Sequence, residues 1–386
     1  MIMSGSLANT ASATLNASSL PIAGPQATAG LCLLRVVLNE GGDATNTQAC
    51  GSYQWGETQD YLVQVNNPAA LPLTGTVTYN NVSWTPLSAV TVQLLSYPGL
   101  VQEGTAVTNA QGSYSLSGYT NGNKTLRLQT NRTWGGVNAT DALLANLHFS
   151  NAQPLSGLRL KAGDVNASGT VNASDALVIS RRYANVIGSF PSGNWVFDTA
   201  VLNLNGAAVS LNLQGLCYGD VNGSFFPGAA RWGSPSFELL EDAEWTWERP
   251  LNHQTSPIVT TARSNYSGKV GALSLDLSWP ASLGEPRVRF LLGSQEPVVS
   301  WLDGRLRLAW NDVQGWDLED HDPVFEIEHT PIGNLAPWSW ELGPGTEWAD
   351  PLGQPLVRAG LRLPASLRGV SQGPSNSCEQ IGRASC

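Results

Sequence analysis

The sequence predicts a mainly β protein built from tandem sandwich modules, with one small helical module between them. Three observations lead to this prediction. Charged residues make up only 13% of the chain and glycine occurs 40 times, which is typical of secreted β-rich proteins. Short segments of alternating apolar and polar residues recur along the chain and are separated by turn residues. One twelve-residue segment instead places oxygen-bearing side chains at alternate positions and precedes a helical pattern.

Residues 1–66 contain two predicted strands, residues 33–38 and 61–65. The runs LLRVVL and YQWGETQDYLVQV resemble the closing half of the GEVED domain, a β-sandwich of secreted Bacteroidetes proteins. Gln59-Asp60 stands where that family has Glu-Asp, and the family's opening half is absent. We therefore expect a partial GEVED-like sandwich in a fragment of a longer exported protein. Cys32 and Cys50 form a disulfide or remain two free buried cysteines, and both readings stay open.

Residues 67–130 contain further short strands with turns between them, at 73–79, 86–94, 108–116 and 125–128. This succession resembles the prealbumin-like sandwich of carboxypeptidase regulatory-like domains and of the B repeats of bacterial surface adhesins. The resemblance implies a second β-sandwich module.

Residues 164–175, DVNASGTVNASD, have the pattern of a twelve-position calcium loop. Side-chain oxygens occupy positions 1, 3, 5, 9 and 12: Asp164, Asn166, Ser168, Asn172 and Asp175. Gly169 stands at position 6, where the loop turns sharply, and Thr170 at position 7 offers its backbone carbonyl. Because Ca²⁺ is a hard cation that takes six to eight oxygens, the segment predicts a calcium site. The alternative is a surface turn rich in Asn, Ser and Gly.

A helix is expected after the loop, because apolar residues recur there at spacings of three and four: Ala176, Ile179, Tyr183 and Val186. Position 12 is Asp where an EF-hand has Glu, and only one helix accompanies the loop. These features resemble a dockerin repeat, a small calcium module that plugs into cohesin domains, chiefly in secreted polysaccharide-degrading assemblies. The resemblance implies Ca²⁺ as the cofactor and a cohesin-type protein as the partner.

Dockerins carry two such repeats, and residues 136–143 echo residues 170–177. The upstream copy keeps Asn138 and Asp141, but positions 1, 3 and 5 carry no calcium ligand: Thr130, Arg132 and Trp134. Later in the chain, three residues have the spacing of loop positions 1, 3 and 5, but no second half of a loop follows them: Asp220, Asn222 and Ser224. We therefore predict a split second site that forms when the two ends of the module meet. The alternative for residues 220–224 is an ordinary Asx turn.

The module that contains these fragments is assigned to residues 131–228, with two strands expected near 196–197 and 208–213. In the dockerin family, partner contacts come from loop positions 10 and 11 and from the helix beyond. In this sequence the matching residues are Ala173, Ser174, Arg181 and Arg182, and in the upstream copy Ala139 and Thr140.

Residues 229–370 are β-rich again, and Asp303-Gly304 predicts a hairpin turn. The runs VGALSLDLSW, GRLRLAW and DPVFEIE, in this order, resemble a cohesin-like jelly roll, a module that binds dockerins. The last six residues, IGRASC, match the translation of a common sequencing adapter. Residues 371–386 are therefore expected to be a disordered tail produced by read-through.

Several function classes find no support in the sequence. The net charge of −10 argues against nucleic-acid binding, and no apolar run reaches the length of a membrane span. The four histidines are scattered, and no hydrolase or metalloprotease motif occurs. Acidic runs at 241–244 and 319–322 offer paired carboxylates for glycoside hydrolysis or are solvated loop faces, and we expect the latter.

We therefore expect tandem β-sandwich modules with a small α-helical dockerin-like calcium module between them. The expected function is non-catalytic, calcium-dependent scaffolding or attachment outside the cell or at its surface, linked to polysaccharide breakdown or carbohydrate binding. The dockerin-like module and residues 229–370 pair within one chain or between neighbours, or else the sandwich modules only pack as spacers. Two other functions stay open: accessory modules of an extracellular peptidase or glycoside hydrolase, and a cell-surface adhesin.

Overall fold

The structure is a computed structural model, and it describes residues 30–39, 56–65, 72–228, 237–242, 257–332 and 339–364. The N-terminal part is a two-stranded antiparallel hairpin of β1 (Gly30–Asn39) and β2 (Gly56–Val65). Arg35 Nε donates to Asp60 Oδ1 at 2.7 Å across this pair. Both strands expected in this region lie within the hairpin, whereas Cys50 lies outside the described residues.

The first sandwich begins with five strands: β3 (Leu73–Tyr79), β4 (Thr91–Ser96), β5 (Gln102–Val107), β6 (Ser113–Leu116) and β7 (Gly122–Gln129). Four later strands complete it: β8 (Trp195–Phe197), β9 (Val201–Leu204), β10 (Val209–Ser210) and β11 (Leu213–Cys217). One sheet has the order β10-β3-β11-β8 with β6 on the other side of β3, and the second has the order β5-β4-β7-β9. Alternate residues of both sheets form a shared core that includes Leu73, Val77, Val92, Leu126 and Leu216.

The four returning strands change the expected division of the chain. β11 runs parallel to β3, and β9 pairs with β7, so residues 195–217 belong to the first sandwich and not to a separate module at 131–228. The helical module is thus inserted between β7 and β8. The physical reason is that β3 and β7 would otherwise leave their outer backbone groups unpaired, and the returning strands satisfy them.

The inserted module has three helices: α1 (Ala139–Phe149), α2 (Gly157–Gly163) and α3 (Ala173–Tyr183). A small core joins α1 and α3, and it includes Ala142, Ala145, Val171, Ala176 and Ile179. The buried side chains of α2 pack instead in the core of the first sandwich. The expected helix after the loop is present, but it ends at Tyr183, with Ala184 as its C-cap. Val186 therefore lies beyond the helix and is 47% exposed.

The C-terminal sandwich has nine strands within the described residues: β12 (Glu238–Asp242), β13 (Ile258–Ser264), β14 (Gly268–Ser278), β15 (Arg287–Phe290), β16 (Val298–Leu302), β17 (Arg305–Leu318), β18 (Pro323–His329), β19 (Glu347–Ala349) and β20 (Gly360–Pro364). They form one sheet of order β12-β20-β13-β18-β15 and another of order β16-β17-β14-β19. Asp303 and Gly304 both have positive φ, as the predicted two-residue hairpin turn requires. No helix within the described ranges is long and apolar enough to span a bilayer.

β14 is buried on both faces, since eight consecutive residues, 270–277, are buried. Leu273, Leu275 and Leu277 point into the sandwich core. Ala272 and Ser274 alternate with them and point to the opposite face, where α1 packs. One face of the four-stranded sheet therefore packs in the core of the C-terminal sandwich, and its other face packs against the helical module.

Candidate calcium sites and the docking face

The intact loop is closed by hydrogen bonds from its backbone amides to its own acidic and amide side chains. Ser168 N donates to Asp164 Oδ1 and to Asn166 Oδ1, each at 2.9 Å. Asp175 accepts through both oxygens, Oδ1 from Asn166 N at 3.2 Å and Oδ2 from Asn172 N at 3.0 Å. Gly169 has a φ of +88°, which explains glycine at the sharp turn. The side-chain oxygens of the loop are thus gathered at one place by local backbone contacts.

The structure brings the two separated half-loops together. Asn222 N donates to Asp141 Oδ1 at 3.2 Å, although the two residues are 81 positions apart in the sequence. Ser224 N donates to Asp220 Oδ1 at 2.9 Å and to Asn222 Oδ1 at 2.8 Å. Asn138 N donates to the second oxygen of Asp141 at 2.9 Å. Residues 220–224 therefore do more than form a local Asx turn.

The split loop repeats the hydrogen bonds of the intact loop position by position. In both loops the amide at position 3 donates to the carboxylate at position 12, and the amide at position 5 donates to positions 1 and 3. In both, the serine hydroxyl at position 5 donates to the carbonyl at position 7: Ser168 to Thr170 at 3.1 Å, and Ser224 to Gly136 at 3.2 Å. Both loops end in a capping box, made by Asn172 with Asp175 and by Asn138 with Asp141.

The hydrophobic positions correspond as well. Position 2 is occupied by Val165 in one loop and Val221 in the other, and both side chains are fully buried. Position 8 is Val171 in one loop and Val137 in the other, and both lie in the core of the helical module. The two halves of the split loop thus adopt the structure of one continuous loop.

Two buried carboxylates lie at the split loop. Asp141 and Asp220 have no solvent exposure. Burial raises the pKa of Asp141 well above its ordinary value, and the negative charge of Asp220 raises it further. Burial also raises the pKa of Asp220, although hydrogen bonds from Tyr79 and from backbone amides oppose this shift. Burial and mutual repulsion therefore favour the protonated forms of these two carboxylates unless a cation neutralises them.

The donor set fits a hard divalent cation. It consists of carboxylate, amide, hydroxyl and carbonyl oxygens, the ligands that Ca²⁺ prefers. The described residues hold no group of three or more His, Cys, Asp and Glu side chains that could bind a metal ion, so each loop would rely on amide, hydroxyl and carbonyl oxygens beside its two carboxylates. Gly136 has a φ of +89°, and a Cβ built on it lies 2.4 Å from Asp220 Cγ, so the position admits only glycine. This close approach lets the Gly136 carbonyl take position 7 of the loop.

The first sandwich also reaches the split loop. Tyr79, at the end of β3, donates its hydroxyl to Asp220 Oδ2 at 2.5 Å, and Cys217 N donates to the same hydroxyl at 3.1 Å. Burial raises the pKa of Tyr79 well above its ordinary value, so it stays a neutral donor. Sequence reasoning missed this contact because Tyr79 appears only as the last apolar residue of an alternating strand, 141 positions before its partner.

The N-terminus of α1 is buried against the C-terminal sandwich. Ala139 N donates to Ser274 Oγ at 2.8 Å, and Thr140 Oγ1 donates to Glu347 Oε1 at 2.5 Å. Asn138 Nδ2 donates to the same Glu347 oxygen at 2.8 Å. Ala139 and Thr140 are the upstream residues expected to contact a partner, and both lie in this interface. Glu347 itself was not foreseen from the sequence.

Small side chains on the sheet make the close packing of α1 possible. Leu143, Leu144 and Leu147 of the helix contact an alanine platform on three neighbouring strands: Ala272 on β14, Ala309 on β17 and Ala349 on β19. The register places Ala272 beside Ala349 and Ser274 beside both Ala309 and Glu347. We call this surface, with Asn311 at its edge, the docking face. Asn146 Nδ2 donates to Asn311 Oδ1 at 2.9 Å.

The expected contact residues of the intact repeat lie elsewhere. Ala173, Ser174 and Arg181 are exposed, and none of them takes part in the contacts just described. Arg182 is buried inside the helical module, with its guanidinium carbon 3.8 Å from the ring centroid of Trp134. It does not point outward as expected, because its stem and head cover the aromatic side of the module's core. α3 meets the C-terminal sandwich at its end, where Tyr183 packs beside the alanine platform and Ser300 Oγ donates to Ala184 O.

Two family matches cover parts of the chain. Residues 135–183 match the dockerin type I domain, and residues 4–64 match the GEVED domain. The dockerin match spans α1, α2, the intact loop and α3, but not residues 220–224. No curated protein matches the chain.

Similarities to solved structures are weak. A complex of CaDoc0917 with CaCohA2 is 14% identical with a TM-score of 0.25, covering 34% of this chain and 97% of that one. A non-cellulosomal cohesin from the archaeon Archaeoglobus fulgidus is 18% identical with a TM-score of 0.21, covering 34% and 87%. BcpA, the major pilin subunit of Bacillus cereus, is 6% identical with a TM-score of 0.24, covering 76% and 69%. TM-scores of this size support no functional conclusion. The two family matches identify a GEVED domain at residues 4–64 and a dockerin type I domain at residues 135–183 within one multimodular chain.

Proposed function

We propose that the chain is a non-catalytic, extracellular attachment protein whose helical module binds two calcium ions, one in the intact loop and one in the split loop. Dockerin and GEVED domains are families of non-catalytic modules, and dockerin domains mediate protein–protein interaction. We propose six ligand residues in the intact loop, of which Thr170 contributes its backbone carbonyl: Asp164, Asn166, Ser168, Thr170, Asn172 and Asp175. We propose five in the split loop: Asp220, Asn222, Ser224, Asn138 and Asp141. In the split loop the backbone carbonyl of Gly136 takes the place that the Thr170 carbonyl has in the intact loop.

One observation carries the proposal. The two loops share the same hydrogen bonds at the same positions, although one of them is assembled from segments about eighty residues apart. A chance meeting of two turns would not reproduce the contacts at positions 3, 5, 7 and 12 together. The buried pair Asp141 and Asp220 adds an electrostatic reason for a divalent cation.

The partner that we propose is a cohesin-like sandwich, and residues 229–370 of the same chain serve as one such receptor. The docking face contacts the residues at loop positions 10 and 11 of the split loop. The intact repeat keeps Ala173, Ser174 and Arg181 on the surface for a partner on another molecule. We also propose that the assembly acts in polysaccharide breakdown or carbohydrate binding. Attachment to a longer enzyme and adhesion to a surface are the alternatives that glycan-binding assays and the full gene would test.

The experiment that tests the proposal is a calcium titration of the full chain by isothermal calorimetry and native mass spectrometry. Two ions per chain are expected, with dissociation constants on the order of 10⁻⁶–10⁻⁴ M because each loop supplies only two carboxylates. Asp164→Ala should remove one ion, and Asp220→Ala and Asp141→Ala should each remove the other. Two ions retained in Asp220→Ala would show that the half-loops are not one site.

A further inference from the structure

Glu347 is a carboxylate of the C-terminal sandwich that lies at the split loop. It stands on β19 and is only 6% exposed. Its Oε1 accepts hydrogen bonds from Asn138 and Thr140, which occupy positions 9 and 11 of the split loop. A residue of the receptor module thus contacts the same segment that is proposed to hold the ion.

Three buried carboxylates from three parts of the chain bond to this loop: Asp141 from α1 and Asp220 from the segment after β11 accept from loop amides, and Glu347 from β19 accepts from two loop side chains. The ion pairs within 4.0 Å among the described residues include none of the three. Asp276, on the same sheet, shows the contrast, because Arg305 lies 2.7 Å and Arg307 lies 3.5 Å from its carboxylate. The sandwich neutralises one buried acid with arginines and leaves Glu347 facing the loop.

We infer that Glu347 couples the split calcium site to the docking of the helical module, so that calcium binding and docking strengthen each other. This inference rests on the proposed split site. Without an ion, docking brings a third acidic group to two others in a buried place, where keeping each carboxylate charged costs free energy, and this opposes docking. With Ca²⁺ in the loop, the same charge is attracted, and the hydrogen bonds to Asn138 and Thr140 hold the loop in its binding conformation.

The coupling is specific to one of the two sites. The intact loop has Asn172 and Ser174 at positions 9 and 11, and Ser174 is exposed. No carboxylate from the C-terminal sandwich contacts them in the described part of the chain. The intact loop therefore serves as an internal control, since its calcium affinity should not respond to changes at Glu347. Linkage requires the factor by which docking raises calcium affinity to equal the factor by which calcium raises docking.

The test uses the full chain with Glu347→Gln, which keeps the acceptor oxygen and the shape but removes the charge. In an Asp164→Ala background, where only the split loop is left, Glu347→Gln should weaken calcium binding about tenfold or more by calorimetry. In an Asp220→Ala background the same change should leave the intact loop's affinity unaltered. Glu328→Gln, an exposed acid on β18, is the matched control and should change neither affinity.

Docking has its own readout in the amide hydrogen of Ala139, which is bonded to Ser274 across the interface. Its hydrogen exchange should accelerate in wild type when calcium is chelated, and this acceleration should be smaller in Glu347→Gln. Circular dichroism checks the fold, and if Glu347→Gln does not fold, Glu347→Ala should weaken split-site binding at least as much. A split-site affinity that is equal in wild type and both variants overturns the coupling and leaves the proposed function standing. An Asp164→Ala chain that binds no calcium overturns both.

Discussion

Gly136 is the position at which a single methyl group would separate the two halves of the split loop. A Cβ there lies 2.4 Å from Asp220 Cγ, which is closer than real Cβ atoms approach a neighbour. Asp220 cannot move away freely, because Tyr79 and the amide of Ser224 bond to its two oxygens. We therefore expect Gly136→Ala to lose the split-loop ion, while the intact loop keeps its own.

The magnitude follows from two independent terms. A non-glycine residue at positive φ costs about 1–2 kcal/mol, whether or not calcium is present. An ion at about one hundred times its dissociation constant contributes about 2.7 kcal/mol to the free energy of unfolding. The variant should therefore lose about 4–5 kcal/mol in calcium. The stabilisation that calcium adds should fall from about 5.4 kcal/mol for two ions to about 2.7 kcal/mol for one.

The assay is urea unfolding followed by tryptophan fluorescence, with millimolar calcium and with a chelator. Gly118→Ala is the matched control, because Gly118 has a φ of +76° and an added Cβ meets no atom within 4 Å. Gly118→Ala should lose free energy of unfolding because of its positive φ, but calcium should stabilise it by as much as it stabilises the wild type. A Gly136→Ala chain with the full wild-type calcium increment would refute the reasoning, since it would show that the Asp220 carboxylate is not needed at its observed place.

Two further predictions concern buried side chains. Tyr79→Phe removes the hydrogen-bond donor to the Asp220 carboxylate and should lower the free energy of unfolding in chelator by about 1.5–3 kcal/mol. Tyr114→Phe, which loses a hydrogen bond to the Leu211 carbonyl, is the control and should lower it by about 1 kcal/mol. Equal losses would show that the charge of Asp220 is unimportant. Burial lowers the pKa of His329, so its neutral ring contributes stability that is complete above the ordinary pKa of about 6.5 and is lost as pH falls through the lower folded-state pKa. His329→Gln should therefore lose less stability than wild type between pH 7.5 and pH 5.5 in chemical unfolding, and parallel losses would contradict this.

The geometry of the intact loop could be predicted because it is local. In the intact loop every ligand lies within twelve residues, and the spacing of oxygens and glycine follows from how a chain wraps around an ion. The split loop could be predicted for the same reason, since each half keeps part of that spacing. The contacts that support the split loop could not be predicted from the sequence. Tyr79 and Glu347 lie 141 and 209 positions from their partners, and neither stands in a pattern that names a partner.

The placement of the modules was also beyond the sequence pattern. The alternation along β14 puts Ala272, Ser274 and Asp276 on one face, and such small and polar side chains also occur on solvated faces. The structure covers Ala272 and Ser274 with α1 instead, and the small side chains are what allow the helix to approach. Likewise, β8 to β11 are short and irregular, so only their pairing with β3 and β7 shows that they belong to the first sandwich.

The two loops share one structure but occupy different places in it, and their ions should therefore differ in effect. The intact loop is closed by its own backbone and precedes α3, so its ion holds one loop and one helix. The split loop joins the segment after β11 to α1, with Tyr79 of the first sandwich on one side and Glu347 of the C-terminal sandwich on the other. An ion there neutralises charges from several parts of the chain at once. Its removal should loosen contacts between modules, whereas removal of the other ion should loosen α3 and only the one contact that its end makes with the C-terminal sandwich.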